Sequence, residues 1–355
     1  MSTASTASTS ETAGTSSRRG GGRVGRKALR GAAMTSFPTL VRKIPVYEIV
    51  PDEAVELIHN ESLSILEDVG CEFRDDEAIA MWKQAGADVS GTRVRFDRAL
   101  LMDLVSKVPA EFTLNARNPE RSVQVGGRNS VFVPMYGAPY VRDLDNNRRY
   151  GTLEDLNNFH KLAYMAPALH SSSSIICEPM EIAVPKRHLH IIHSALKHSD
   201  KPFMGIVTSK DRAEDTMAMA GIVFGEDYVR DNPVLVSITN CNSPLVWDAT
   251  MLDAMKVYAR HNQPLILAPF ALCGASTSAS AVGAIAQVNA EALAGVAFTQ
   301  LIRPGSPQIY GQFMVTVDMK TGAPMGGTPE AAQMMYVMGA LARKYRLPWR
   351  TSGFH

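Results

Sequence analysis

The sequence predicts an α/β protein: a TIM-type (β/α)8 barrel, incomplete, with about six to seven strands present, behind an N-terminal helical cap. Three observations predict it. Short apolar runs recur about every 30 to 45 residues at Val131–Met135, Ser173–Cys177, Phe203–Val207, Val234–Ile238, Leu265–Phe270 and Gln308–Phe313. Segments with helical spacing fall between most of them, at Leu153–Met165, Arg187–Lys197, Ala213–Phe224, Ala249–His261 and Ser280–Ile302. The stretch from Pro264 to Phe313 reads as a complete βαβ unit, its helix ended by Arg303-Pro304-Gly305.

In chain order, residues 1–35 form a disordered basic tail, rich in Ser, Thr, Ala and Gly and then in Arg. Residues 36–125 supply the cap and a hairpin. Val55, Ile58, Leu63, Leu66 and Val69 line one face of a helix that Gly70 stops, and short helices follow at Asp75–Gly86 and Ala99–Val108. Glu111–Val125 reads as a hairpin around Asn118-Pro119. Residues 126–355 carry the βα repeat, a last helix at Ala331–Tyr345, and the start of a seventh strand at Trp349–Gly353. A closed barrel needs a further βα unit, so the chain reads as truncated at its C-terminus or as an open sheet. A doubly wound sheet ranks lower because no GxGxxG follows the first strand.

Composition narrows the function. Thirty-six basic and 35 acidic residues give a formal net charge of +1, which argues against a nucleic-acid surface. No run holds the roughly 18 to 20 uninterrupted apolar residues of a membrane span. Four cysteines, Cys71, Cys177, Cys241 and Cys273, lack CxxC spacing, which suits a reduced, cytoplasmic protein.

Ligands of parallel barrels sit where loops leave the C-terminal ends of the strands. The residues there are Tyr136, Tyr140, Glu178, Asn240, Asn242, Phe270, Tyr310, Gln312, Phe313 and Asp318. Aromatic groups beside small residues suit a compact cation. Tyr136, Tyr140, Phe270, Tyr310 and Phe313 are the candidate walls, Glu178 and Asp318 the candidate negative charges, and Asn240 a further contact. Catalytic residues are not identified. His188, His190, His193 and His198 spread around one helix and lack HExxH spacing, so no metal site is assigned to them. The cysteines at strand ends leave a thiolate zinc site as an alternative.

Several segments in order carry a resemblance. They are Asn115-Ala116-Arg117-Asn118-Pro119-Glu120, Gly137-Ala138-Pro139 with Val141–Asp145, Arg187-His188-Leu189-His190, Asp200–Gly205, Asn242-Ser243-Pro244-Leu245, Gln287–Glu291 and Val317-Asp318-Met319. Together they resemble the trimethylamine methyltransferase family, from about Arg18 to the end. The resemblance implies a TIM-type barrel that passes a methyl group from a methylated amine to the Co(I) of a corrinoid (cobalamin) carried by a separate partner protein. It also implies a longer chain than this one. One branch uses pyrrolysine on trimethylamine, and no pyrrolysine occurs here. A quaternary amine such as glycine betaine already leaves as a neutral tertiary amine, so the chemistry favours that branch. The competing readings are an inactive or truncated member acting as a binding protein, and a zinc-dependent corrinoid methyltransferase. No membrane or nucleic-acid partner is expected, and a homo-oligomer is left open.

Overall fold

The computed structural model describes residues 40–351. The tail expected over residues 1–35 lies outside them. Helix α1 (Asp52–Ser64) runs on into a π-helical turn at Ile65–Val69, closed by Gly70 at φ 73°. A Cβ at Gly70 would lie 2.2 Å from the Val94 carbonyl oxygen, so this close approach needs glycine. Helices α2 (Asp76–Gln84) and α3 (Arg98–Ser106) are each started by an aspartate, Asp75 or Asp97, whose carboxylate accepts from first-turn amides. The cap is tied to the rest of the chain by strand pairing. Cys71–Phe73 lies between Arg93–Arg95 and Val246–Trp247, the last of which belongs to the βα repeat. The expected hairpin forms from Glu111–Leu114 and Val123–Gly126 around a short 3-10 turn at Pro119–Arg121.

The repeat gives one parallel sheet in unbroken chain order: β1 (Phe203–Met204), β2 (Leu235–Thr239), β3 (Leu265–Leu267), β4 (Gln308–Gly311) and β5 (Trp349–Arg350). The order lacks the reversal at a switch point that marks a doubly wound sheet. Between the strands run α6 (Lys210–Phe224), α7 (Glu226–Asp231), α8 (Ala249–Arg260), α9 (Ala281–Ile302) and α10 (Pro329–Tyr345). Ahead of β1 come α4 (Leu153–Met165), with a Thr152–Asp155 capping box, and α5 (Val184–His198).

Strand alternation divides the sheet into two faces. Phe203, Leu235, Leu267 and Tyr310 join the large core formed with the helices. Met204, Val236, Ile266, Ala268 and Ile309 form a second core, filled by Phe112, Leu114 and Val123 of the hairpin. Helix α9 is buried nearly all round rather than along one stripe. By length and composition it could cross a membrane, but 78% of its most apolar stretch is buried here, as in a core helix.

Two expected strands do not form. Val131–Met135 and Ser173–Cys177 are irregular segments joined by the bond from Gly137 N to Ile175 O, 2.7 Å, and one bridge between Ala138 and Cys177. The reason is hydrogen-bond chemistry. Pro134 removes a donor from the first. In the second, Ser171 and Ser172 hydroxyls donate to the Pro202 carbonyl, and Ser173 sits at φ 58° with its amide donating to Ser171 Oγ. Two other runs split: β3 ends before Pro269, and Phe270–Cys273 and Phe313–Val317 then pair as a separate small sheet with Pro324–Met325.

Candidate functional site at the strand ends

The chain beyond β3 and β4 keeps the alternation of the strands. Ala271 and Met314 are buried in the helix-side core, which leaves Phe270 and Phe313 on the other side. Their ring centroids are 5.0 Å apart at 42°, and 39% of the Phe270 surface stays exposed. An exposed ring such as Phe270 presents the electron-rich face that attracts an alkylammonium. Asn240 follows β2 with the parity of Val236 and Ile238 and is exposed. Tyr136 is half-buried against both cores, and burial, reinforced by the nearby Tyr258 and Glu178, pushes its hydroxyl well above the ordinary range. Glu178 is fixed by its amide to Ala138 O at 2.8 Å, and its carboxylate is 3.7 Å from Arg187.

Three expected site residues have other work. Tyr310 is fully buried on the helix face, its hydroxyl donating to Asn289 Oδ1 at 2.6 Å, because its neighbours Ile309 and Gly311 take the opposite face. Asp318 folds a turn. It accepts from Thr321 Oγ1 at 2.6 Å and Lys320 N at 3.1 Å, and these bonds hold its carboxyl low. Tyr140 lies in the hairpin Tyr140–Arg142/Arg148–Tyr150, stacked on Tyr150 at 4.7 Å with the Arg148 guanidinium carbon 3.9 Å from its ring centre, so a cation already sits on it.

The zinc alternative requires the cysteines to converge. All four are free and buried, and burial pushes Cys177 up to about 12 and raises the other three thiols. Among the described residues no three metal-ligating side chains come together. His188 instead meets Asp215 across two helices at 2.8 Å.

Two features escaped the sequence. Glu291, buried in α9, accepts from Ser243 Oγ at 2.6 Å, Leu245 N at 2.8 Å and Gln287 Nε2 at 2.9 Å, so it holds the loop after β2. Burial raises its pKa. The second is Arg350, a half-buried arginine in β5 paired with Gly311. Its signal was a lone charge within a strand-like run. A shallow hollow of about 420 Å³ lies at the hairpin end, lined by Phe112, Thr113, Asn115, Pro233 and Gly305.

This is a parallel α/β enzyme-like scaffold with aromatic groups at its strand ends, and the comparisons give it a family. A family model described as trimethylamine methyltransferase (MTTB) matches residues 18–355, and the chain belongs to that family. It is 41% identical over 311 residues to the glycine betaine methyltransferase of Desulfitobacterium hafniense strain Y51, covering 87% of this chain and 65% of the relative. It is 31% identical to the proline betaine:corrinoid methyltransferase of Eubacterium limosum, covering 84% and 63%. The solved monomethylamine methyltransferase of Methanosarcina barkeri shares the fold at TM-score 0.53 and 12% identity, over 85% of this chain and 62% of that one. The chain thus spans just under two thirds of the length of these relatives.

Proposed function

We propose that this chain belongs to a methyltransferase that moves a methyl group from a methylated amine to a corrinoid protein, with a quaternary amine such as glycine betaine as substrate and trimethylamine as the alternative. The observation that carries the reading is the tilted Phe270–Phe313 pair beyond the ends of β3 and β4, with Phe270 exposed. The named activities of the betaine relatives support it. We further propose that the sheet is an arc of a TIM-type (β/α)8 barrel, with residues 36–125 as its cap and 126–355 as its wall. Phe270, Phe313, Tyr136, Asn240 and Glu178 then surround the amine.

A reduced corrinoid, held by the partner protein, supplies the electron pair that takes up the methyl group. The chain's part is to bind the cation and present one methyl carbon outward. Cleavage of that C–N bond leaves its electron pair on nitrogen, so a quaternary substrate departs as a neutral tertiary amine and no proton donor is required. A cytoplasmic location belongs to the same proposal, which four unpaired, buried cysteines suit.

The test is methyl transfer from glycine betaine to free cob(I)alamin, followed by absorbance, with trimethylamine run alongside. Methylation from glycine betaine is the expected result. No transfer from either amine, with folded protein, would leave the binding-protein reading in its place.

A further inference from the structure

Among the described residues, the Arg350 guanidinium has no partner to match its charge. Trp349 packs toward helix α10, 3.5 Å from the Cβ position of Gly339, and its ring lies tilted against Tyr310 on the helix face at 5.8 Å. Arg350 is the next residue along the strand, so its side chain leaves the opposite face. Its strand partner Gly311 confirms the side: a Cβ there would lie 3.0 Å from Ala268 Cβ and from Ile266 Cγ2, both of the hairpin-side core. Phe313 is two residues beyond Gly311, so it shares the face of Gly311 and of Arg350, its strand partner. The arginine therefore stands on the sheet face from which the aromatic pair rises.

Among the described residues, Arg350 Nη1 is buried with no hydrogen-bond partner, and no carboxylate offsets the loss of solvent around the guanidinium. Burying an unpaired guanidinium nitrogen is costly unless an anion meets it, and the planar fork matches a carboxylate. We infer that Arg350 receives the carboxylate of a zwitterionic quaternary amine whose ammonium group lies against Phe270 and Phe313. The inference rests on the methylated-amine reading above and narrows it. Substrates that carry an acid group a short distance from the quaternary nitrogen are favoured over bare alkylammonium ions. Asn240 and Tyr136 supply neutral polar contacts beside them.

Calorimetric titration of the intact chain with glycine betaine and with tetramethylammonium tests this. The two share the cation and differ in the carboxylate. Glycine betaine is expected to bind at least about tenfold more tightly, and Arg350→Met is expected to remove that preference while leaving tetramethylammonium affinity as it was. Arg350→Lys, which keeps the charge but loses the fork, is expected to fall between. The wild-type comparison stands even where a variant folds poorly. Equal affinities in the wild type, or a parallel loss of both ligands in Arg350→Met, overturn the assignment to Arg350 and leave the amine reading intact. Binding of neither ligand by folded wild-type protein overturns both.

Discussion

The Tyr310 hydroxyl donates to Asn289 Oδ1 at 2.6 Å, and the Asn289 amide in turn donates to Ser62 Oγ at 2.9 Å and the Tyr345 hydroxyl at 2.8 Å. One strand residue thereby joins β4 to α9, α1 and α10. Tyr310→Phe strands the Asn289 oxygen in the core and is expected to cost about 1–3 kcal/mol of stability, measured by denaturant unfolding. Amine affinity is expected to stay unchanged, because the ring faces the helices and not the strand-end site.

Phe270→Ala and Phe313→Ala have the opposite signature. Each removes one ring of the pair 5.0 Å apart and is expected to weaken quaternary ammonium binding about three- to thirtyfold, as calorimetry would show. Phe270, being 39% exposed, is expected to leave the melting temperature nearly unchanged on substitution. Unaltered affinity in both variants removes the aromatic-wall assignment.

Helix α9 tolerates no added bulk at Gly295, where a Cβ would lie 2.5 Å from Trp247 Cζ2. Trp247 is fully buried and belongs to the strand that ties the cap to the repeat. Gly295→Ala is expected to destabilise by about 1–3 kcal/mol in spite of alanine's better helix propensity. A gain in thermal stability would show that Trp247 can shift.

Acid sensitivity is expected from Asp155. Arg149 first, and then Thr152, hold its carboxyl well below the ordinary 3.8, so the unfolded chain takes up this proton before the folded one does. Its stabilising contribution is complete above the ordinary carboxyl range and is lost as pH falls through the lower folded value. Arg149 is 48% exposed, which keeps the contribution to about 1 kcal/mol. Asp155→Asn is expected to flatten the acid side of the stability curve below about pH 4 while costing a similar amount at neutral pH.

The sequence by itself determined the helices, the parallel sheet and the family. Helical spacing and apolar runs are local patterns, and α4 and α9 fall within a residue of their expected limits because capping residues and Pro304-Gly305 punctuate them. Ordered motifs such as Asp200–Gly205 and Gln287–Glu291 carried the family. What only the tertiary structure decided was the direction and company of each side chain. Position at a strand end looks the same for Tyr310 and Phe313, but alternation puts one in a core hydrogen bond on the helix face and the other against Phe270 on the opposite face. The serines that unmade the second expected strand did so through the Pro202 carbonyl, about 30 residues away in the chain. For Arg350, Gly311, Trp349 and α10 fixed the face it leaves, because burial and pairing are properties of the packed sheet.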